Sequence, residues 1–150
     1  FINTSSYTPK LIEFSKYYKT FSNILHIRTI ASEYLVAMKL RAGRQYKNDF
    51  SDVIGILIEQ DRLGDTLTFD RVKNAIIELY GSYDVIPETS RLFIESIFEK
   101  DDLKAFYEQC IKLEFENKDI LIEFNDNYPE VLNENNISDI LKIARERKKK

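Results

Sequence analysis

Apolar residues recur along this chain mostly at three- and four-residue spacing, the period of an amphipathic helix. From Ser32 onward the pattern predicts helices almost throughout. Tyr34 to Ala42 follows Ser32 and Glu33, a cap and first turn, and stops at Gly43. A second helix opens at Lys47 or Asn48, carries Val53, Ile54, Ile56, Leu57 and Ile58, and runs to about Arg62 before the turn Gly64-Asp65. Thr68 caps a third, Phe69 to Tyr80, with Val72, Ala75, Ile76 and Leu79 inward and Gly81 at its end. A fourth spans residues 88–99 after Pro87, with Leu92, Phe93, Ser96 and Ile97 inward. Asp101 caps the longest helix, which Tyr128-Pro129 breaks, and Ser138 opens a short terminal one.

The first 31 residues read differently. Thr8-Pro9 is a helix start, and Leu11, Ile12, Phe14, Ser15 and Tyr18 form a helical stripe, so residues 9–18 are predicted helical. Between Ile24 and Ile30, Leu25 and Ile27 alternate with His26 and Arg28, the pattern of a half-buried strand. A second strand is placed at the very start. The expected fold class is mainly α, a helical bundle with a small β remnant near the N-terminus, divided into residues 1–31 and 32–150. The helices 32–43 and 48–62 are expected to pack as an antiparallel pair.

Composition narrows the function classes. In 150 residues, 43% hydrophobic and 31% charged, there is material for one core. A net charge of −3 does not mark the chain as a nucleic-acid binder on its own. The basic run Arg145, Arg147 to Lys150 reads as a solvated helix end. Cys110 is the only cysteine, so no internal disulfide forms and a reducing, cytoplasmic setting is expected. Among Phe106, Tyr107 and Leu113 it reads as a core residue. No apolar run reaches membrane-spanning length. His26 is the only histidine, which excludes histidine-based zinc clusters and triads and leaves it a structural role. Glu114, Glu116, Asp119 and Glu123, mixed with Lys112 and Lys118, read as a solvated face. Phe14, Tyr17 and Tyr18 are expected in the core rather than on a nucleic-acid platform. The chain opens on Phe1-Ile2 and its only methionine is Met38, so it is expected to be part of a longer protein.

Candidate chemistry concentrates in residues 34–52. Tyr34, Leu35, Val36, Ala37, Met38 and Leu40 cover nearly the whole circumference of their helix, which marks it as buried. Lys39 lies inside that run, and it must snorkel, pair with a carboxylate or meet an anion. Arg41 and Arg44 follow, then Asp49 and Asp52, three apart on one helix face. The two aspartates also suit the positive end of a helix dipole.

The segment stands as Ala37-Met-Lys39-Leu-Arg-Ala42-Gly-Arg44, then Asp49-Phe-Ser-Asp52-Val. It resembles the helical region that follows the catalytic core in a group of bacterial nucleotidyltransferase-like proteins, relatives of the abortive-infection and toxin–antitoxin nucleotidyltransferases. Residues 42–57 are especially similar to the uncharacterised branch of that group, and the resemblance spans roughly residues 1–80. It implies the C-terminal part of an α+β nucleotidyltransferase-like fold, with Asn23 to Ile30 as the last strand of the core. It implies a catalytic set of Lys39 on nucleotide phosphate with Asp49 or Asp52 supporting the site, and Arg44 as a second, substrate-binding cation. Mg²⁺ and a nucleoside triphosphate are implied for the full-length relative. Those relatives carry Gly-Ser followed by Asp-x-Asp to bind metal, and this chain has no Asp-x-Asp; its Gly81-Ser82 stands at a helix stop. No metal ligand and no cofactor are therefore expected in this chain, and no catalysis by it alone. The expected partner is the missing N-terminal core of the same protein. The alternative is a non-catalytic helical interaction module that binds an antitoxin-like protein or another copy of itself.

Overall fold

The computed structural model describes residues 13–148, and side chains up to Glu146. A hairpin of β1 (Ser15–Phe21) and β2 (Leu25–Ile30) leads into α1 (Ser32–Ala42), α2 (Asp49–Arg62), α3 (Phe69–Tyr80), α4 (Glu88–Ile97), α5 (Leu103–Asn127) and α6 (Ile137–Lys148). A single 3₁₀ turn, Tyr83–Val85, lies between α3 and α4. The described chain is mainly helical with one small antiparallel sheet near its N-terminus, the expected class. The expected second strand at the chain start, and the helix expected over residues 9–12, lie outside the described residues.

Over residues 13–18 the expected helix is not there. Ser15–Phe21 is β1, paired antiparallel with β2 from Ser15 opposite Ile30 to Phe21 opposite Leu25. Apolar spacing at Leu11, Ile12, Phe14 and Tyr18 fits a helix. Yet Tyr17, Tyr18, Thr20 and Phe21 are residues that favour strands. Ser22 and Asn23 both take positive φ, 51° and 57°, and the Ile24 amide donates to the Phe21 carbonyl at 3.1 Å. Positive φ at both central residues is what a primed hairpin turn requires, and pairing with β2 outweighs the weak local helical signal. Tyr17 and Tyr18 are 59% and 66% exposed, so the expected core role is wrong for both. Phe14 does pack inward, its ring 4.4 Å from that of Tyr34. His26 is exposed, within hydrogen-bond distance of the Thr20 hydroxyl at 2.7 Å.

The helices begin and end close to the predicted signals. Gly43 and Gly81 cap α1 and α3 in the left-handed conformation. The Thr68 hydroxyl accepts from the Arg71 amide. Two caps shift by one residue. Ala31 precedes α1, with Ser32 already helical, and Asp102 rather than Asp101 caps α5 by accepting from the Lys104 and Ala105 amides.

The core is built where α1 lies against α2, α3 and α4, and α2 against α5. Val36, Leu40, Val53, Ile54, Val72, Ile76, Ile94 and Ile97 are shut off from water. On α4 the inward row is Ser90, Ile94 and Ile97, with Phe93 partly buried, whereas Leu92 is 61% exposed and not inward as expected. The helix turns about 100° per residue, so a row through Ser90 and Ile94 carries Leu92 to the far side. No helix among the described residues is long and apolar enough to cross a membrane.

Candidate functional site

Gly43 sets up the site. It takes φ +54° after α1, its amide returning to the Lys39 carbonyl at 2.9 Å, and turns the chain towards the start of α2. A Cβ there would collide with the Ser90 hydroxyl and press the Leu40 carbonyl at 3.3 Å. Gly43→Ala is therefore expected to cost about 1–3 kcal/mol in urea unfolding, from backbone strain together with the clash. A loss within error of zero would show that this turn can relax.

The turn brings the charged residues together. Lys39 Nζ lies 2.6 Å from Asp52 Oδ2 and 3.3 Å from Asp49 Oδ1. Arg44 grips Asp49 from the other side, Nε donating to Oδ2 at 2.7 Å and Nη2 to Oδ1 at 3.1 Å, while its backbone amide donates to Oδ2 at 3.2 Å. All four residues singled out as a candidate site thus meet at the junction of α1 and α2, and of the three outcomes open to Lys39 the one formed is pairing with carboxylates. Arg41, in the last turn of α1, is exposed.

Burial divides the cluster. Asp49 is 1% exposed, whereas Lys39 keeps 29% and Asp52 45% of its side chain in water. Burial by itself raises the Asp49 pKa, but the hydrogen bonds and charge of Arg44, with the charge of Lys39, outweigh it and hold the carboxyl below its ordinary 3.8. Desolvation likewise lowers the Lys39 pKa, and the pairing with Asp52 and Asp49 overturns that into a net rise. Both groups are ionised at neutral pH. Two cations face two anions, so the set is neutral as it stands.

A second carboxylate works on the same helix end. Glu114, on α5, is 3% exposed, and its Oε1 accepts from the amides of Phe50 at 2.9 Å and Ser51 at 3.4 Å. It caps the first turn of α2 from 64 residues away, satisfying donors that no local side chain reaches. No hydrogen bond of good geometry reaches its Oε2, while the Ser51 hydroxyl stands beside the carboxylate and helps to lower its pKa. Burial raises its pKa above 4.5, the Ser51 and Phe50 donors lower it, the charge of Asp52 raises it again, and the net effect is a rise. The expectation of a solvated face on α5 fails at Glu114. The spacing carried a signal, since Cys110, Glu114, Asn117 and Leu121 recur at four, three and four and form the buried row of α5. Cys110 is buried there, as expected.

Asn117 completes the frame. Its amide donates to the Gln45 carbonyl at 2.7 Å, and its oxygen accepts from Arg145 Nη2 at 2.8 Å. Arg145 therefore ties α6 to α5, against the expectation of a purely solvated basic end.

No protein-family model matches the chain, and no curated protein or solved structure matches it either. Chemistry must be read from these residues alone. Both oxygens of Asp49 are occupied by Arg44 and Lys39, which leaves Asp52 as the one exposed carboxylate of the cluster. Among the described residues no group of three or more His, Cys, Asp or Glu side chains is placed to hold a metal ion. A divalent cation of the Mg²⁺ type, which wants several oxygen ligands, does not fit this cluster. A phosphate oxygen fits better, because Lys39 is reachable and the partner it would leave, Asp52, is the hydrated one.

Proposed function

We propose that this chain is the helical C-terminal portion of a nucleotidyltransferase-like protein, and that Lys39 is the cation it offers to nucleotide phosphate. The observation that supports this reading is the asymmetry of the cluster. Arg44 locks Asp49 in a buried position, and Asp49 holds Lys39 in place, while Lys39 and Asp52 pair at the exposed side. A point charge held in this way neutralises phosphate without covalent help, and phosphoryl and nucleotidyl transfer depend mainly on positioning and charge neutralisation. The exposed Lys39–Asp52 pair is the exchangeable one, because pairs in water are worth little. Asp49 and Arg44 act as positioning residues in this reading. The metal-binding carboxylates would come from a nucleotidyltransferase core outside these 150 residues, in the cytoplasm.

Titration with inorganic triphosphate tests the reading, with binding followed calorimetrically at low salt. Lys39→Gln is expected to weaken binding about tenfold, a difference of ~1.4 kcal/mol. Asp52→Asn is expected to strengthen it by freeing Lys39. Equal affinity in wild type and both variants removes Lys39 from the phosphate role.

A second reading, a helical interaction module without catalysis, is favoured by the charge balance of the cluster, which makes it a clamp between α1 and α2. In that reading the partner is an antitoxin-like protein or a second copy. Lys39→Gln then lowers stability and leaves triphosphate affinity unchanged.

A further inference from the structure

On the Phe50 side of the α2 start lies a groove between α2, α4 and α5, with a volume of about 520 Å³. That is within the usual range for small-molecule sites. Three phenylalanines stand in its wall. Phe50 stacks on Phe93 with ring centroids 4.2 Å apart, and Phe106 follows 6.1 Å from Phe93. Leu92 and Leu113 on its lining are well exposed, so the groove opens to water. Glu114 is part of the lining, and no lysine, arginine or histidine is.

Capping α2 explains one oxygen of Glu114 and leaves the other unexplained. Oε1 takes both amides, and a glutamine carbonyl would do the same without bringing a charge indoors. Oε2 is buried and receives no well-formed hydrogen bond, although the Ser51 hydroxyl stands beside the carboxylate. Such groups in folded proteins are few, and each calls for a donor. The donor that fits arrives with apolar surface, since Phe50, Phe93, Phe106, Leu92 and Leu113 stand in the wall, and with positive charge, since ring faces and a carboxylate both attract cations.

We propose that this groove binds a small aromatic amine, its ring against Phe50, Phe93 and Phe106 and its N–H donors on Glu114. This site is separate from the Lys39 cluster and does not rest on the nucleotidyltransferase reading. The raised pKa of the unliganded Glu114 is in keeping with it, because an ammonium would stabilise the ionised carboxylate that burial disfavours.

Benzylamine is the probe, titrated into the full chain at pH 7 while amide NMR signals are followed. Saturable shifts of the Phe50 and Ser51 amides are expected. Phenylacetate, which has the ring with an anion in place of the amine, is expected not to bind. Glu114→Gln keeps an acceptor for both amides and is expected to weaken benzylamine at least tenfold with the spectrum otherwise preserved. Glu114→Asp, which keeps the charge on a shorter arm, serves as the second variant and is expected to retain part of the affinity. The proposal is overturned if benzylamine gives no saturable shifts at Phe50 and Ser51. It is also overturned if Glu114→Gln binds as tightly as wild type, or if phenylacetate binds as well as benzylamine.

Discussion

Asp49→Ala is expected to lower the stability of this protein by about 3 kcal/mol in urea unfolding at pH 7. Its carboxylate is buried and receives three N–H donors from Arg44 and one from Lys39. Deleting it removes the carboxylate that Arg44 grips and leaves Lys39 paired with Asp52 alone. Breaking a buried ion pair by removing one partner costs ~3–5 kcal/mol. Arg44 and Lys39 are 41% and 29% exposed, so solvent screens part of the loss, and the low end of that range applies. Asp49→Asn keeps one acceptor and should lose roughly half as much. The pH dependence follows from the lowered pKa. A carboxyl held below 3.8 contributes stability that is full above 3.8 and disappears as pH falls through the lower folded value. The gap between wild type and Asp49→Asn should therefore stay constant from pH 7 to 5 and close only below about pH 4. A gap that closes near neutrality would mean that the charge of Asp49 is not what holds the junction. By contrast, Asp52→Ala should cost under ~1 kcal/mol, because its pair with Lys39 is largely hydrated.

At Glu114 the shape of the side chain is expected to matter and its charge to count against the fold. Glu114→Ala leaves the Phe50 and Ser51 amides buried without acceptors and should cost about 2–4 kcal/mol, from two lost hydrogen bonds and a small cavity. Glu114→Gln preserves an acceptor and removes a desolvated charge, so at pH 7 it should be neutral or stabilising. The sign of the pH effect is opposite to that of Asp49. A folded pKa above 4.5 means that the protonated form is favoured by the fold. The contribution is then full below 4.5 and is lost as pH rises through the folded value. Chemical denaturation of wild type and Glu114→Gln between pH 4 and 8 should show the glutamine variant gaining on wild type as pH rises. If the glutamine variant loses as much as the alanine variant, the ionised carboxylate is required and the capping account is wrong.

Much of the candidate junction could be read along the chain. Lys39, Arg44, Asp49 and Asp52 are at most 13 residues apart, and two helices with a short turn at Gly43 between them leave few ways to arrange them. Their convergence is thus nearly a local property, as are the stops at Gly43 and Gly81 and the cap at Thr68, which depend on neighbours within a turn of helix. The same locality explains why the buried circumference of α1 was legible, since six of the seven residues from Tyr34 to Leu40 are apolar.

What happens beyond one turn was decided by tertiary structure. Ser15–Phe21 carries both strand-favouring residues and a fragment of helical spacing, and its partnership with β2 across Ser22-Asn23 settled the conflict. Exposure of Tyr17 and Tyr18 follows from that choice, because a two-stranded hairpin has too little surface to cover its aromatic residues. Glu114 shows the reverse case. Charge and neighbouring lysines marked it as solvated, yet α5 lies against the start of α2 and turns that carboxylate onto amides 64 residues upstream. By itself the sequence determined where α1 and α3 stop and which charges meet across a short turn, because those outcomes depend on neighbours close in the chain. Only the packing of α5 against α2 decided that a glutamate should be buried, because the donors it satisfies become neighbours after the chain has folded.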